Sequence, residues 1–116
     1  MSISVGTDIV SINRIKKAIE KFGDKFLDRL MSQNERERVK SVESIAGIWA
    51  AKEAVSKALG CGIGSELGFL DIEISKDSKG RPIVSVTNSN FKIIDSSISI
   101  SHDKDFAIAV AIVNYI

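Results

Sequence analysis

The stretch WAAKEAVSKALGCGIG, residues 49–64, predicts the second half of a long helix that ends in glycines. Upstream of it, helical spacing of apolar residues begins near Ser44, and Gly60 suits the cap after the last turn. Glu53 and Lys57 are four residues apart, so their side chains project from one face. We therefore expect a central helix from about Ser44 to Gly60. Its mostly apolar stripe consists of Ile45, Trp49, Lys52, Val55 and Leu59.

The N-terminal part predicts a strand followed by a helix. Residues 2–10 are rich in Ile, Val and Thr with partial alternation. Gly6 interrupts them, which indicates either a close approach of the backbone to a neighbour or a bulge. From residue 12 to residue 22 the apolar positions follow helical spacing, and Gly23 is a natural stop in the left-handed conformation. Helix one is therefore expected over residues 12–22.

The segment between helix one and the central helix is expected to be helical but broken. Asp24 can cap a short continuation of helix one. Ser32 is followed three residues later by Glu35, which matches the capping-box pattern for another short helix.

After the central helix the period changes from helical to two. Residues 70–87 alternate around a polar turn at 77–80, which predicts a hairpin. A second strand pair is expected over residues 98–113, with its turn at 103–105. Residues 106–113 are almost continuously apolar, so this strand is expected to be buried on both sides. The fold class is therefore α+β, an antiparallel sheet packed on a long central helix, in a single domain spanning residues 1–116.

The composition excludes several classes of function. With 116 residues, 44% hydrophobic and 27% charged, the chain resembles an ordinary globular domain. A net charge of +1 argues against non-specific nucleic-acid binding, which needs excess Lys and Arg. One cysteine and one histidine provide neither a disulfide nor a zinc cluster. The longest uncharged run, residues 106–116, is too short to cross a bilayer as a helix. We expect a cytoplasmic protein that does not bind membranes.

Three charged residues are candidates for chemistry. Glu53 and Lys57 can be a surface ion pair, which is the commoner case, or they can face a ligand across a helix surface kept thin by alanines. Asp8 can cap the helix that follows its strand. If Asp8 and Glu53 converge, however, two carboxylates with open positions between them suit Mg²⁺ held together with phosphates. Lys57 would then be a cation beside the same phosphates.

Two other features have both a structural and a functional interpretation. The glycines at 60–64 can cap the helix and turn the chain, or their N–H groups can form an anion-binding nest that a ligand approaches closely. His102, next to a polar turn, is more often a hydrogen-bonded structural histidine than a ligand contact.

A basic strip lies on helix one. Arg14, Lys17 and Lys21 fall nearly opposite its apolar stripe. Normally such residues form the solvated face. The same strip can dock an acidic helix and orient it, despite the small total charge.

Several motifs, in order along most of the chain, resemble one family. The family is the holo-acyl-carrier-protein synthases, the small bacterial type of 4′-phosphopantetheinyl transferase. The matching stretches are VGTDIVSINRI (5–15), WAAKEAVSKALGCGIG (49–64), FLDIEI (69–74), KGRPIV (79–84) and ISISHDKDFAIAVAIV (98–113).

This resemblance implies an enzyme that moves the phosphopantetheine arm of coenzyme A (CoA) onto a serine of apo-acyl carrier protein and releases adenosine 3′,5′-bisphosphate. It also implies a homotrimer that binds CoA in clefts between protomers.

Roles for individual residues follow from the same resemblance. Asp8 and Glu53 become the magnesium ligands, and Lys57 binds phosphate and can help proton transfer. Glu53, acting through a metal-bound water, is the first candidate for the base, and direct action by a carboxylate is the second. The basic strip, chiefly Arg14, contacts the carrier protein. The remaining substrate-binding residues are Gly60 and Gly64, where the arm passes, and Gly80, Arg81, Pro82 and His102 at the nucleotide end.

One position departs from the family pattern. The family usually has arginine before the aromatic residue of its central motif, where this chain has Ile48. Either the affinity for CoA is lower, or Arg81 or Lys79 substitutes. Ile48 also favours the alternative function, a non-catalytic nucleotide-binding or oligomerisation module of the same fold. A phosphohydrolase is a third possibility.

Overall fold

The computed structural model describes residues 2–87 and 90–116. Within these residues, five strands and four α-helices follow in the order β1, α1 to α4, β2 to β5, and a short 3₁₀ helix at Phe69–Asp71 precedes β2. The strands are β1 Ser2–Ser11, β2 Ile72–Lys76, β3 Pro82–Val86, β4 Ile93–His102 and β5 Phe106–Tyr115. The helices are α1 Ile12–Phe22, α2 Asp24–Leu30, α3 Gln33–Arg38 and α4 Val42–Ala58.

The strands form two antiparallel sheets. One sheet has the order β1-β5-β4 and the other pairs β2 with β3. The helix α4 packs against β1 and β5, and the core lies between them. The predicted α+β architecture with a long central helix is therefore confirmed, although the strands divide into two sheets. Within the described residues, no helix is long and apolar enough to span a membrane.

Gly6 is where β1 crosses α4 most closely. A Cβ atom built on Gly6 would lie 2.0 Å from the carbonyl oxygen of Ala54 and 2.6 Å from the nitrogen of Ala58. Pairing of β1 with β5 continues without a register shift from Ser2 to Ser11. The predicted close approach is therefore confirmed and the alternative bulge is wrong.

The helices before α4 mostly follow the predicted pattern. The bounds of α1 agree with those expected, and the capping box of Ser32 and Glu35 is present at α3. Gly23 has a positive φ of 56°, but its ψ of −131° lies outside the left-handed helical region. The predicted cap at Asp24 is wrong, because Asp24 is the first residue of α2 and its carboxylate accepts a hydrogen bond from Arg36 at 2.8 Å.

The helix α4 begins at Val42, two residues before the expected start, with Ser41 as its N-cap. Its residues are buried on almost every side, which is typical of a helix enclosed by other elements. Lys52 lies within the apolar stripe and is fully buried. Its Nζ donates to Glu35 Oε1 at 2.7 Å and to the carbonyl oxygens of Leu30 and Phe69. The bonds of Lys52 therefore join four segments of the chain.

Two predictions about the strands are wrong. The hairpin strand expected from residue 70 begins at Ile72, because residues 69–71 form the 3₁₀ helix. The strand β5 is not buried on both sides within this chain. Its residues alternate, with Ala109 almost fully buried against α4 and Ile108 43% exposed on the other side.

The exposed side of β1 and β5 forms one apolar surface. The two strands pair so that Val5 lies beside Ile112 and Ile9 beside Ile108. We call this surface the apolar sheet face. It consists of Ile3, Val5, Ile9, Phe106, Ile108, Val110 and Ile112, all of them exposed.

Candidate active site

The close crossing of β1 over α4 places Asp8 beside the central helix. Asp8 is two residues beyond Gly6 and therefore points to the same side of β1. Lys57 Nζ donates to Asp8 Oδ1 at 3.0 Å and to the carbonyl oxygen of Thr7 at 3.1 Å. Lys57 thus forms its ion pair with Asp8, across the two elements, and not along the helix with Glu53.

The second carboxylate oxygen of Asp8, Oδ2, is not the one that pairs with Lys57. Asp8 Oδ2 is buried, and no hydrogen-bond donor among residues 2–87 and 90–116 reaches it. The cap of α1 is made instead by Ser11, whose side chain accepts from the backbone N–H of Arg14. Capping therefore does not explain Asp8. A buried carboxylate oxygen without a donor is unfavourable, so this atom is suited to a cation from outside the chain.

Glu53 lies in the same place. Burial raises the pKa of the Glu53 carboxyl, and the negative charge of Asp8 raises it further, while the positive charges of Lys57 and Arg14 oppose the shift. The charge of Asp8 thus acts on Glu53, and Lys57, one turn after Glu53 on α4, is bound to Asp8. The structure therefore brings together the three residues that the sequence grouped: Asp8, Glu53 and Lys57.

The donor set in this place fits magnesium. Within the described part of the chain, no group of three or more His, Cys, Asp or Glu residues could hold a metal ion. Mg²⁺ does not need such a cage, because it binds one or two carboxylates and takes its other ligands from phosphates and water. Asp8 and Glu53 supply these two carboxylates, and Asp8 Oδ2 has an open position for an ion.

After α4, the backbone N–H groups of Gly60, Gly62 and Gly64 are not free to bind an anion. The N–H of Gly60 donates to Lys57 O, that of Gly62 to Ser56 O and that of Gly64 to Leu67 O. The anion-nest interpretation is therefore wrong for these three residues. Gly60 and Gly62 have positive φ values of 84° and 67°, as expected for a chain that turns after a helix. Ligand contact at Gly60 and Gly64 stays a prediction.

A cavity of about 330 Å³ lies between the first half of α4, the β2–β3 hairpin and the end of β4. The residues expected at the nucleotide end, Gly80, Pro82 and His102, all line it. Arg81 lies outside this lining, because its side chain turns back to Asp77, with 3.2 Å between Nε and Oδ2.

Two cationic residues in this lining were missed by the sequence reasoning. They are Arg38 from α3 and Lys76 from β2. No motif marks them, because only the fold brings α3 and β2 to the same cavity. Ile48, at the position where the family usually has arginine, is 4% exposed and contributes an apolar wall.

The cluster of Asp8, Glu53 and Lys57, which we call the acidic trio, and the cavity lie against different faces of α4. At about 100° per residue, Lys57 lies about 40° from Glu53 around the helix. Ser44, Gly47 and Ile48 line the cavity about 120° to 180° from Glu53, and Glu43 lines it at about 80°. Most of the cavity therefore lies on a different side of α4 from Glu53 and Lys57.

Arg14 of the basic strip lies against Trp49 of α4. The guanidinium of Arg14 lies 5.4 Å from the centre of the Trp49 ring, and Trp49 in turn contacts Phe26 and Phe69. Lys17 and Lys21 are exposed on the same helix. Contact with a carrier protein stays a prediction for all three basic residues.

Comparisons with known proteins agree with one another. The sequence model of the 4′-phosphopantetheinyl transferase superfamily matches residues 4–111. The holo-[acyl-carrier-protein] synthase of a Sulfurovum species is 51% identical over 97% of this chain and 98% of its own length. That of Nautilia profundicola is 56% identical over 93% of this chain and 96% of its own length.

Solved structures give the same result. A Helicobacter pylori holo-[acyl-carrier-protein] synthase in complex with coenzyme A has a TM-score of 0.89 and 48% identity, over 95% of this chain and 99% of its own. A Bacillus anthracis synthase in complex with CoA (3′,5′-ADP) has a TM-score of 0.82 and 42% identity, over 95% of this chain and 94% of its own.

Proposed function

Because the chain belongs to the 4′-phosphopantetheinyl transferase superfamily, we propose that Asp8, Glu53 and Lys57 carry out the reaction of a holo-acyl-carrier-protein synthase. This enzyme transfers the 4′-phosphopantetheine arm of CoA to a serine of apo-acyl carrier protein and releases adenosine 3′,5′-bisphosphate. The observation that supports these roles is the meeting of the three side chains where β1 crosses α4.

The chemistry is a phosphoryl transfer. The serine oxygen forms a bond to the β-phosphorus of CoA, and the bond from that phosphorus to the bridging oxygen breaks. Asp8 and Glu53 would hold Mg²⁺, which when bound offsets negative charge on the pyrophosphate. Lys57 places a positive charge beside the leaving phosphate and stabilises its developing charge. Glu53 is the first candidate for the group that accepts the serine proton, because it would lie beside the reacting phosphorus.

We also propose that each complete site is shared by two protomers of a homotrimer. One chain presents the acidic trio and most of the cavity on different faces of α4, so one CoA molecule is better placed between the trio of one protomer and the cavity of the next. The apolar sheet face supports this assembly, because monomers rarely expose contiguous apolar surfaces of this kind. Light scattering should give three times the mass of the 12.6 kDa chain.

Mixed oligomers test the shared site directly. Glu53→Gln removes the acidic half and Pro82→Arg blocks the cavity, and each variant alone should be inactive. If the site is shared, refolding the two variants together restores activity, because some sites then combine two intact halves. If mixed oligomers form and no activity returns, the site lies within one chain.

The transfer itself is tested by mass spectrometry. An apo-acyl carrier protein incubated with this protein, CoA and Mg²⁺ should gain the mass of one phosphopantetheine arm. Glu53→Gln should nearly abolish the gain without unfolding the protein, and normal turnover by this variant at limiting Mg²⁺ would exclude Glu53 as a ligand. Binding of CoA without any transfer would instead indicate a non-catalytic module. Consumption of CoA without carrier protein would indicate a phosphohydrolase.

Carrier-protein docking has a separate test. Arg14→Glu reverses one charge of the basic strip and should chiefly weaken binding of the carrier protein, whose acidic helix the strip would orient. If binding of CoA falls instead, the strip does not dock the carrier. We further propose a cytoplasmic enzyme, which the single free cysteine Cys61 supports.

A further inference from the structure

The cavity beside the first half of α4 carries an excess of positive charge. Its fixed cations are Arg38 and Lys76, opposed by one carboxylate, Glu43. The first turn of α4 also lines it through Glu43 and Ser44, where the helix dipole favours an anion. The positive charges of this cavity lining therefore suit a phosphate group.

Arg38 is held in place by the backbone of β2. Its Nη2 donates to the carbonyl oxygen of Ile74, while the N–H of Ile74 donates to Glu35 Oε2 at 2.7 Å. Glu35 is itself fully buried and paired with Lys52. Both backbone polar groups of Ile74 are thus bound by side chains of α3. A guanidinium has five N–H donors, so Arg38 keeps others for a ligand.

We propose that Arg38, assisted by Lys76, binds the 3′-phosphate of CoA and makes the protein prefer CoA to 3′-dephospho-CoA. This inference rests on the proposed function, which makes CoA the substrate. Arginine binds phosphate in a planar, two-pronged geometry, and a guanidinium already fixed to β2 loses little freedom on binding. Ile48 contributes no charge to the wall, so α3 and β2 supply its fixed cations.

Titration calorimetry on the full chain tests this proposal with CoA and 3′-dephospho-CoA as the two ligands. The wild-type protein should bind CoA more tightly. Arg38→Met should weaken CoA binding by about 10- to 100-fold, the value of one or two charge-assisted hydrogen bonds, and should change 3′-dephospho-CoA binding less than about twofold. Lys76→Met should give a smaller loss of the same kind. It also tests the cavity without touching the contact to Ile74.

Arg36→Met is the matched control. Arg36 is on the same helix and loses the same charge, but it pairs with Asp24 and Asp28 outside the cavity. It should leave the preference for CoA unchanged. Equal weakening of both ligands by Arg38→Met, or no weakening of either, would overturn the inference.

The two levels of the proposal fail in different ways. A wild-type protein that transfers the arm but shows no preference between the two ligands would overturn the inference about Arg38 alone. A wild-type protein that transfers nothing from CoA would overturn the proposed function and, with it, this inference.

Discussion

Substitution of Gly6 by alanine should separate β1 from α4 and disable the acidic trio. The added Cβ would lie 2.0 Å from Ala54 O, a backbone atom that no rotamer change can move. That contact has to open to about 3.4 Å or more, the range of ordinary van der Waals contact. The strand must therefore move by more than about 1 Å from the helix, which carries Asp8 away from Lys57.

The cost can be estimated from packing. Overpacking of a core typically costs about 1–3 kcal/mol, and a clash between two backbones belongs at the upper end. We therefore expect Gly6→Ala to lower the free energy of unfolding by about 3 kcal/mol in urea denaturation at fixed protein concentration. Displacement of a catalytic group by about 1 Å can cost about 100-fold in rate, so transfer should fall by a similar factor.

The matched control is Gly64→Ala. A Cβ at Gly64 meets no atom within 4 Å, so this variant should be as stable as the wild type to within about 0.5 kcal/mol. The reasoning about Gly6 is refuted if Gly6→Ala is equally stable and transfers the arm at the wild-type rate.

The buried ion pair, the hairpin turn and the apolar sheet face each give a measurable prediction. Lys52→Met leaves Glu35 buried without its cation and should lower the free energy of unfolding in urea by about 3–5 kcal/mol. Addition of Glu35→Gln should recover part of this loss, and a loss below about 1 kcal/mol for Lys52→Met would contradict the reasoning. Hydrogen bonds from the turn, chiefly from the backbone N–H of Arg81, lower the pKa of Asp77 below its ordinary 3.8. The ionised Asp77 carboxylate therefore stabilises the folded protein above pH 3.8, and this stabilisation is lost as the pH falls through the lower pKa of the folded state. The NMR shift of the Arg81 amide should titrate below pH 3.8, and a midpoint at or above that value would argue against the turn described. Ile108→Glu should convert the proposed trimer to monomers in light scattering, whereas an unchanged mass would exclude the sheet face as the interface.

The sequence predicted best those features that depend on neighbours along the chain. The bounds of α1 and the capping box of Ser32 and Glu35 follow from local spacing. Gly6 indicated either a close approach or a bulge, and only the packing of β1 on α4 decides between them. From the residues alone, the convergence of Asp8 with Glu53 was only a condition, and the family resemblance was needed to imply it, because no local rule joins residues 45 positions apart.

The failures have a common physical cause, which is that partners distant in sequence are invisible to local patterns. Lys52 was placed in an apolar stripe without its partner Glu35, which lies on another helix. Arg38 and Lys76 reach one cavity only because α3 and β2 pack together. The apolar run of β5 indicated burial on both sides, since a strand covered by its own chain and a strand covered by a second copy have the same sequence pattern.

That last ambiguity connects the fold to the reaction. If β5 is covered by another protomer, the interface and the active site are formed in the same step, because the acidic trio and most of the cavity of one chain lie on different faces of α4. Disruption of the apolar sheet face should then abolish transfer even though Lys57 and Asp8 remain paired within each monomer. A site complete within one chain would instead keep its activity after dissociation. Assembly is therefore expected to be a requirement for catalysis and not only a source of stability.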